Sequence, residues 1–199
     1  MTGFYAVLDR DDEALCRALL SVARVIQVRI KPGSASEILA AARMARRVCD
    51  QVGATLIVND RVDLAVASGA DGVHLGQADL PIAEARSFAP KLIVGVSTHD
   101  VGQVERAVAS GADYLGFGPI FATTTKQNPD PVQGIAGLRA SVAAARGTPI
   151  VAIGGIEIEA VADVYAAGAA AICAIRAVNH AADVVASARA FNPATLRGS

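Results

Sequence analysis

Eight short apolar runs, each followed by a stretch of helical period, limit most severely what this chain can fold into. The runs fall at residues 4–8, 25–30, 55–58, 72–75, 92–96, 114–117, 149–153 and 170–175. The helical stretches fall at 11–22, 34–51, 62–67, 81–87, 101–109, 135–145, 158–166 and 181–191. The runs are near-continuous rather than alternating, as parallel strands buried on both faces are. Eight such units predict an α/β fold, a (β/α)8 TIM barrel in a single domain. At 199 residues the chain is short for that fold, so most loops must be tight. Residues 192–199 are expected to fray. Ser34 and Glu37 form an S-x-x-E capping pattern at the second helix.

An internal repeat supports the barrel. SGADGVHL at 68–75 recurs as SGADYLGF at 110–117, with a weaker copy, AGAAAICA, at 167–174. In each copy a glycine (Gly69, Gly111, Gly168) is placed to stop a helix in the left-handed conformation before a strand begins.

Composition excludes several function classes. Apolar residues make up 53% and charged ones 19%, which suits a large core. Net charge is -1 and no basic stripe carries interleaved aromatics, so a nucleic-acid partner is not expected. No apolar run reaches the length of a membrane span. No signal-peptide pattern opens the sequence. A soluble, cytoplasmic protein is the expectation. Cys16, Cys49 and Cys173 stand far apart without metal spacing, and read as small buried hydrophobes.

The exception to tight loops is 116–134, GFGPIFATTTKQNPDPVQG. It holds Thr123, Thr124, Thr125 and Lys126 and has no apolar periodicity. A loop this long is commonly functional or disordered. Hydroxyls, backbone amides and one ammonium are what a phosphate or carboxylate needs.

Other polar residues gather at the carboxyl ends of the expected strands, which in a barrel form one rim, the active-site face. Gln27, Arg29 and Lys31 alternate with Val28 and Ile30, so the three polar side chains point the same way. Cations at a barrel mouth call for an anion, and a diphosphate is the natural candidate. Asn59 and Asp60 end the third strand, Asp79 follows the fourth, and Ser97 to His99 end the fifth. Asp60 and Asp79 could repel, pair with Arg29 or share a divalent cation. Magnesium is preferred, because it takes one or two carboxylates plus substrate phosphates. Gly154-Gly155 follows the seventh strand, where barrels commonly bind phosphate. Strand eight ends near Arg176. His74 reads as a satisfied core histidine, and His99 as a helix-entry residue within reach of a ligand. His180 has no context.

These residues resemble the thiamine-phosphate synthase family. The matching motifs are Q-x-R-x-K at 27–31, N-D-R-x-D-L-A at 59–65 and G-V-H-L-G-Q-x-D-L at 72–80. G-V-S-T-H at 95–99, G-P-I-F-x-T-x-T-K at 118–126 and A-I-G-G-I at 152–156 continue the match in order. The resemblance runs from Tyr5 to about Val178. It implies a magnesium-dependent transferase that couples hydroxymethylpyrimidine diphosphate to a carboxylated thiazole phosphate and releases pyrophosphate. Its partners would be small-molecule substrates, with the oligomeric state left open and a homo-oligomer among the options. By matching position, Gln27, Arg29, Lys31, Asn59, Ser97 and Lys126 would hold the pyrimidine diphosphate, with Val28 and Ile30 in the same segment. Arg29, Lys31, Ser97 and Lys126 would serve catalysis. Asp60 and Asp79 would hold magnesium, and Thr123, Thr124, Thr125, Gly155, Ile175 and Arg176 the thiazole phosphate.

The chain departs from the family pattern twice. Ile30 replaces a usual glutamate, and alternation points it away from Arg29 and Lys31, so little catalytic effect is expected. Ile175-Arg176 replaces a usual aliphatic–serine pair, which bears on the thiazole-phosphate end. A thiazole tautomerase on the same fold would need neither diphosphate nor magnesium ligands, and the intact set argues against it. A non-catalytic paralogue would have lost one of them. A sugar-phosphate isomerase would need an acid–base pair across the mouth, which is not found.

Overall fold

A computed structural model describes residues 2–123 and 130–192. Thr124, Thr125 and Lys126 lie outside the described residues, as does the expected tail beyond Asn192. The first strand is two pieces, β1 (Gly3–Phe4) and β2 (Ala6–Leu8), divided at Tyr5. There follow α1 (Glu13–Leu20), β3 (Val25–Val28), α2 (Ala35–Val52), β4 (Thr55–Asn59), α3 (Val62–Ser68) and β5 (Gly72–Leu75). Next come α4 (Ile82–Phe88), β6 (Ile93–Thr98), α5 (Val101–Ala109), β7 (Tyr114–Phe117) and α6 (Gly134–Ala144). The rest is β8 (Ile150–Ile153), a 3-10 turn (Ile158–Ala160), α7 (Val161–Ala166), β9 (Ala171–Cys173), α8 (Ile175–Asn179) and α9 (Val184–Ala190).

Every strand pairs in parallel, in the order β1-β9-β8-β7-β6-β5-β4-β3-β2. Because β1 and β2 are consecutive, the two ends of that order meet and the sheet forms a barrel ringed by helices. Ser34 caps α2 with the full reciprocal box to Glu37. No helix among the described residues is long and apolar enough to cross a membrane.

The expected strand ends need two corrections. The second strand stops at Val28, not at residue 30. Its partner β2 ends at Leu8, and the bond from Arg29 N–H to Leu8 O (2.9 Å) is the last one to that strand. The last strand stops at Cys173, and Ile175 and Arg176 open the short helix α8 instead of closing a strand. Its neighbour β8 gives way to Gly154 and Gly155, whose φ of 99° and 64° turn the chain aside.

Alternation sorts the side chains into two cores. Ile26, Val28, Leu56, Val58, Val73, Leu75, Val94 and Val96 face the helices. Tyr5, Val7, Tyr114, Val151, Ala171 and Cys173 fill the barrel interior. All three cysteines are buried and free, and burial pushes Cys16 up to about 11 and Cys49 and Cys173 to about 12. All three thus sit as small buried hydrophobes, as the sequence implied.

The repeat acquires a second meaning. Its glycines do take left-handed backbones, with φ of 69°, 82° and 102° at Gly69, Gly111 and Gly168. The aspartates beside them tie the amino-terminal end of the barrel together. Asp71 accepts from Leu56 N–H and from Arg46, each at 2.7 Å. Asp113 accepts from Val94 N–H at 2.7 Å and from Arg86 at 2.8 Å. The weaker third copy has Ala170 at that place and loses the device.

Candidate active site

A cavity of about 1090 Å³ opens at the carboxyl ends of the strands. Gln27, Arg29, Lys31, Asn59, Asp60, Asp79, Ser97, Thr123, Gly155, Ile175 and Arg176 all line it. The alternation argument therefore holds for Arg29 and Lys31 even past the end of β3. Val28 and Ile30 do not line the cavity. Val28 is fully buried among the helix-facing residues and Ile30 packs against them. Their side chains face away from the mouth, so the side chain at position 30, where the family usually has glutamate, does not line the cavity.

The acidic pair lies at one side of this mouth. Lys31 Nζ sits 2.7 Å from Asp60 Oδ2, so the ion pair considered for Arg29 is made by Lys31 instead. Half of the Lys31 side chain is exposed, which makes the pair a weak tether that a ligand can displace. Asp60 takes a left-handed backbone (φ 62°), rare for a residue with a Cβ, and its N–H donates to His74 O at 2.7 Å. Such strained conformations concentrate at functional sites. Asp79 Oδ2 accepts from Gly76 N–H at 2.6 Å. Burial holds the Asp79 carboxyl above the usual carboxylate range, and the neighbouring Asp60 carboxylate adds to the effect. Two crowded carboxylates of this kind suit a cation that also meets phosphate oxygens. Among the described residues there is no group of three acidic, histidine or cysteine ligands.

The floor of the cavity is polar where the apolar runs suggested plain core. Tyr5 and Tyr114 meet hydroxyl to hydroxyl at 2.8 Å, and Gln27 Nε2 donates to Tyr5 Oη at 3.0 Å. His74 reaches Tyr114 Oη through Nδ1 (3.0 Å) and Ser97 Oγ through Nε2 (2.9 Å). The histidine is satisfied, as read, but it faces the site rather than the helices. Burial depresses it to about 4; Asp60 opposes the shift, and Arg29 and Lys31 reinforce it, so it is neutral near pH 7. Glycines make room for these rings. A Cβ at Gly95 would collide with the Tyr114 ring, and one at Gly116 would lie 3.0 Å from His74 Cε1. Sequence reasoning missed both tyrosines. The available signal was that a buried phenol needs a polar partner.

The far side of the mouth is built around the Gly154-Gly155 turn. Phe121 N–H donates to Gly154 O at 2.9 Å, and a Cβ at Gly155 would strike the carbonyl of Ala122. Only glycine lets the long loop press against this turn. Beside it, Ile175 and Arg176 form the first turn of α8. A turn after the seventh barrel strand plus the start of a short extra helix is a recurrent phosphate site in this architecture. His99 enters α5 as expected and ties the long loop. Its Nδ1 donates to Gly118 O at 2.6 Å, and its Nε2 lies 3.4 Å from Asp130. His180 stands 3.9 Å from Asp9, exposed at the edge of the same cavity.

Comparison with known proteins fits this geometry. A family model described as thiamine monophosphate synthase matches residues 4–178. A thiamine-phosphate synthase of Chloroflexus aurantiacus is 47% identical over 172 residues, covering 86% of this chain and 79% of that protein. One from Anaeromyxobacter dehalogenans is 46% identical over 200 residues, covering 98% and 89%. The solved thiamine phosphate pyrophosphorylase of Pyrococcus furiosus superposes with a TM-score of 0.87 at 35% identity, covering 95% of this chain and 93% of that one.

Proposed function

The chain belongs to the thiamine monophosphate synthase family, and we propose how the residues of its barrel mouth divide the work of that transferase. Its activity is that of a thiamine-phosphate synthase. The observation that supports the division is a single cavity lined both by the Gln27, Arg29, Lys31, Asp60 and Asp79 side and by the Gly155, Ile175 and Arg176 side.

On this reading Gln27, Arg29, Lys31, Asn59 and Ser97 hold the pyrimidine diphosphate, with Lys126 of the long loop completing the set. Gly155, the first turn of α8 and the threonines Thr123 to Thr125 hold the thiazole phosphate. The bond between the pyrimidine methylene carbon and the diphosphate oxygen breaks, and its electron pair leaves with pyrophosphate. The pyrimidine amino group delocalises the resulting positive charge. The thiazole nitrogen, held in line, then donates its lone pair to form the carbon–nitrogen bond. Arg29, Lys31 and Lys126 neutralise charge as it develops on the leaving group. Asp60 and Asp79 would hold magnesium, which supplies further charge neutralisation on the diphosphate. Ser97 donates a hydrogen bond to the same group. Neither bond change requires a protein base.

The carboxylate pair provides the test. Turnover of both precursors is measured across a magnesium titration in the wild type and in Asp79→Asn. The wild type is expected to need magnesium, and the variant to lose turnover by about 100-fold or more at matched magnesium. The same melting temperature is expected for both proteins without metal. Undiminished turnover in Asp79→Asn would remove Asp79 from the metal site.

A further inference from the structure

Four hydrogen bonds join five side chains across the barrel interior, from Gln27 through Tyr5, Tyr114 and His74 to Ser97. The chain begins and ends on two proposed ligands of the pyrimidine diphosphate. Tyr5, Tyr114 and His74 between them are at most 9% exposed. A hydroxyl has one proton to give, so the chain has a direction. The Gln27 amide nitrogen only donates, and Tyr5 Oη accepts from it. The Tyr5 proton then goes to Tyr114 Oη, and the Tyr114 proton to His74 Nδ1. With Gln27 Nε2 facing Tyr5 Oη, any other order leaves a buried phenol proton without an acceptor in the chain. With Nδ1 accepting, the single proton of the neutral ring sits on Nε2 and is donated to Ser97 Oγ. The Ser97 proton is left to point into the cavity.

We propose that this one-way chain sets the polarity of both ends of the pyrimidine diphosphate site. It fixes Ser97 as a donor to the departing pyrophosphate and leaves the Gln27 carbonyl oxygen to accept from the pyrimidine amino group. Tyr5, Tyr114 and His74 are positioning residues. The proposal rests on the two-substrate reading above. Reversing the Gln27 amide would reverse every bond, and Ser97 would then present a lone pair to an anion. A donor already aimed at developing negative charge lowers the barrier, because no reorientation is needed during reaction. The glycines at 95 and 116 show that neighbouring strands leave space for the Tyr114 and His74 rings.

Two measurements test it. First, 15N spectra of the histidine ring nitrogens are recorded on the labelled, ligand-free protein near pH 7. The chain has three histidines, and His74→Gln identifies the His74 signals by their loss. A neutral His74 with its proton on Nε2 and a bare Nδ1 is expected. A proton on Nδ1, or on both nitrogens, overturns the direction. Second, steady-state kinetics are measured for Tyr114→Phe, His74→Gln and His74→Leu. Tyr114→Phe removes one hydroxyl, and kcat is expected to fall roughly 10- to 100-fold, the usual cost of an outer-sphere partner, with KM for thiazole phosphate unchanged. His74→Gln carries an amide N–H to the place of Nε2 and is expected to keep more turnover than His74→Leu. Wild-type kcat in Tyr114→Phe, or equal losses in the two His74 variants, overturns the positioning role. If His74→Leu fails to fold, Tyr114→Phe and the spectrum decide. Absence of wild-type turnover would contradict the reaction itself, and the tautomer spectrum would still decide the direction of the chain.

Discussion

His74 carries a cost that acid should reveal. Its folded pKa of about 4 lies below the ordinary 6.5, so the unfolded chain binds the proton first as pH falls. Stability from this residue is complete above pH 6.5 and is lost as pH drops towards 4, by on the order of 3 kcal/mol. His74→Gln should therefore show a flatter dependence of unfolding free energy on pH across that window, measured by urea titration of the metal-free protein. Parallel curves for the two proteins would show that the histidine is not held neutral by burial. Much of the site was legible residue by residue. Arg29, Lys31, Asn59, Asp60, Asp79 and Ser97 follow from polar types at strand ends, and Gln27, Arg29 and Lys31 from alternation. Tyr5 and Tyr114 were not legible, because a tyrosine in an apolar run looks like any large core residue. Its hydroxyl partner is on a strand 109 residues away. That the Val28 and Ile30 side chains face away from the mouth follows from the same alternation.

At the scale of elements, the two ends of each strand do different work. The carboxyl ends carry the site, and the amino ends carry the Asp71 and Asp113 anchors. Asp113→Ala removes the acceptor for Val94 N–H and for Arg86. It should cost about 1–3 kcal/mol of stability in urea unfolding, the price of stranding a largely buried backbone donor. The kcat at saturating substrate should stay within about twofold, because this end of a barrel serves stability. A tenfold loss of kcat in a variant that melts normally would contradict the separation. Each of the eight expected strands and eight expected helices has a counterpart, because each run is long enough to show its period; the first strand is divided at Tyr5. Helix α8 was not expected, because five residues, Ile175–Asn179, are too few to display a 3.6-residue period. Its consequence is chemical. Ile175 and Arg176 present a helix start to the cavity, where a strand end was expected.

For the whole molecule, barrel closure brings together residues that the sequence spreads from Gln27 to Arg176. A family of eight strand–helix units with this polar rim would place its cations, carboxylates and glycine turn around one mouth whatever the details of any loop. The central claim is that both precursors react there in one coupled event. The most direct measurement mixes the protein with hydroxymethylpyrimidine diphosphate, thiazole phosphate and magnesium, and quantifies pyrophosphate and thiamine phosphate together over time. Equal amounts of the two products are expected at every time point, and neither when one precursor is left out. Precursor consumption without thiamine phosphate, or no reaction in the complete mixture, would contradict it.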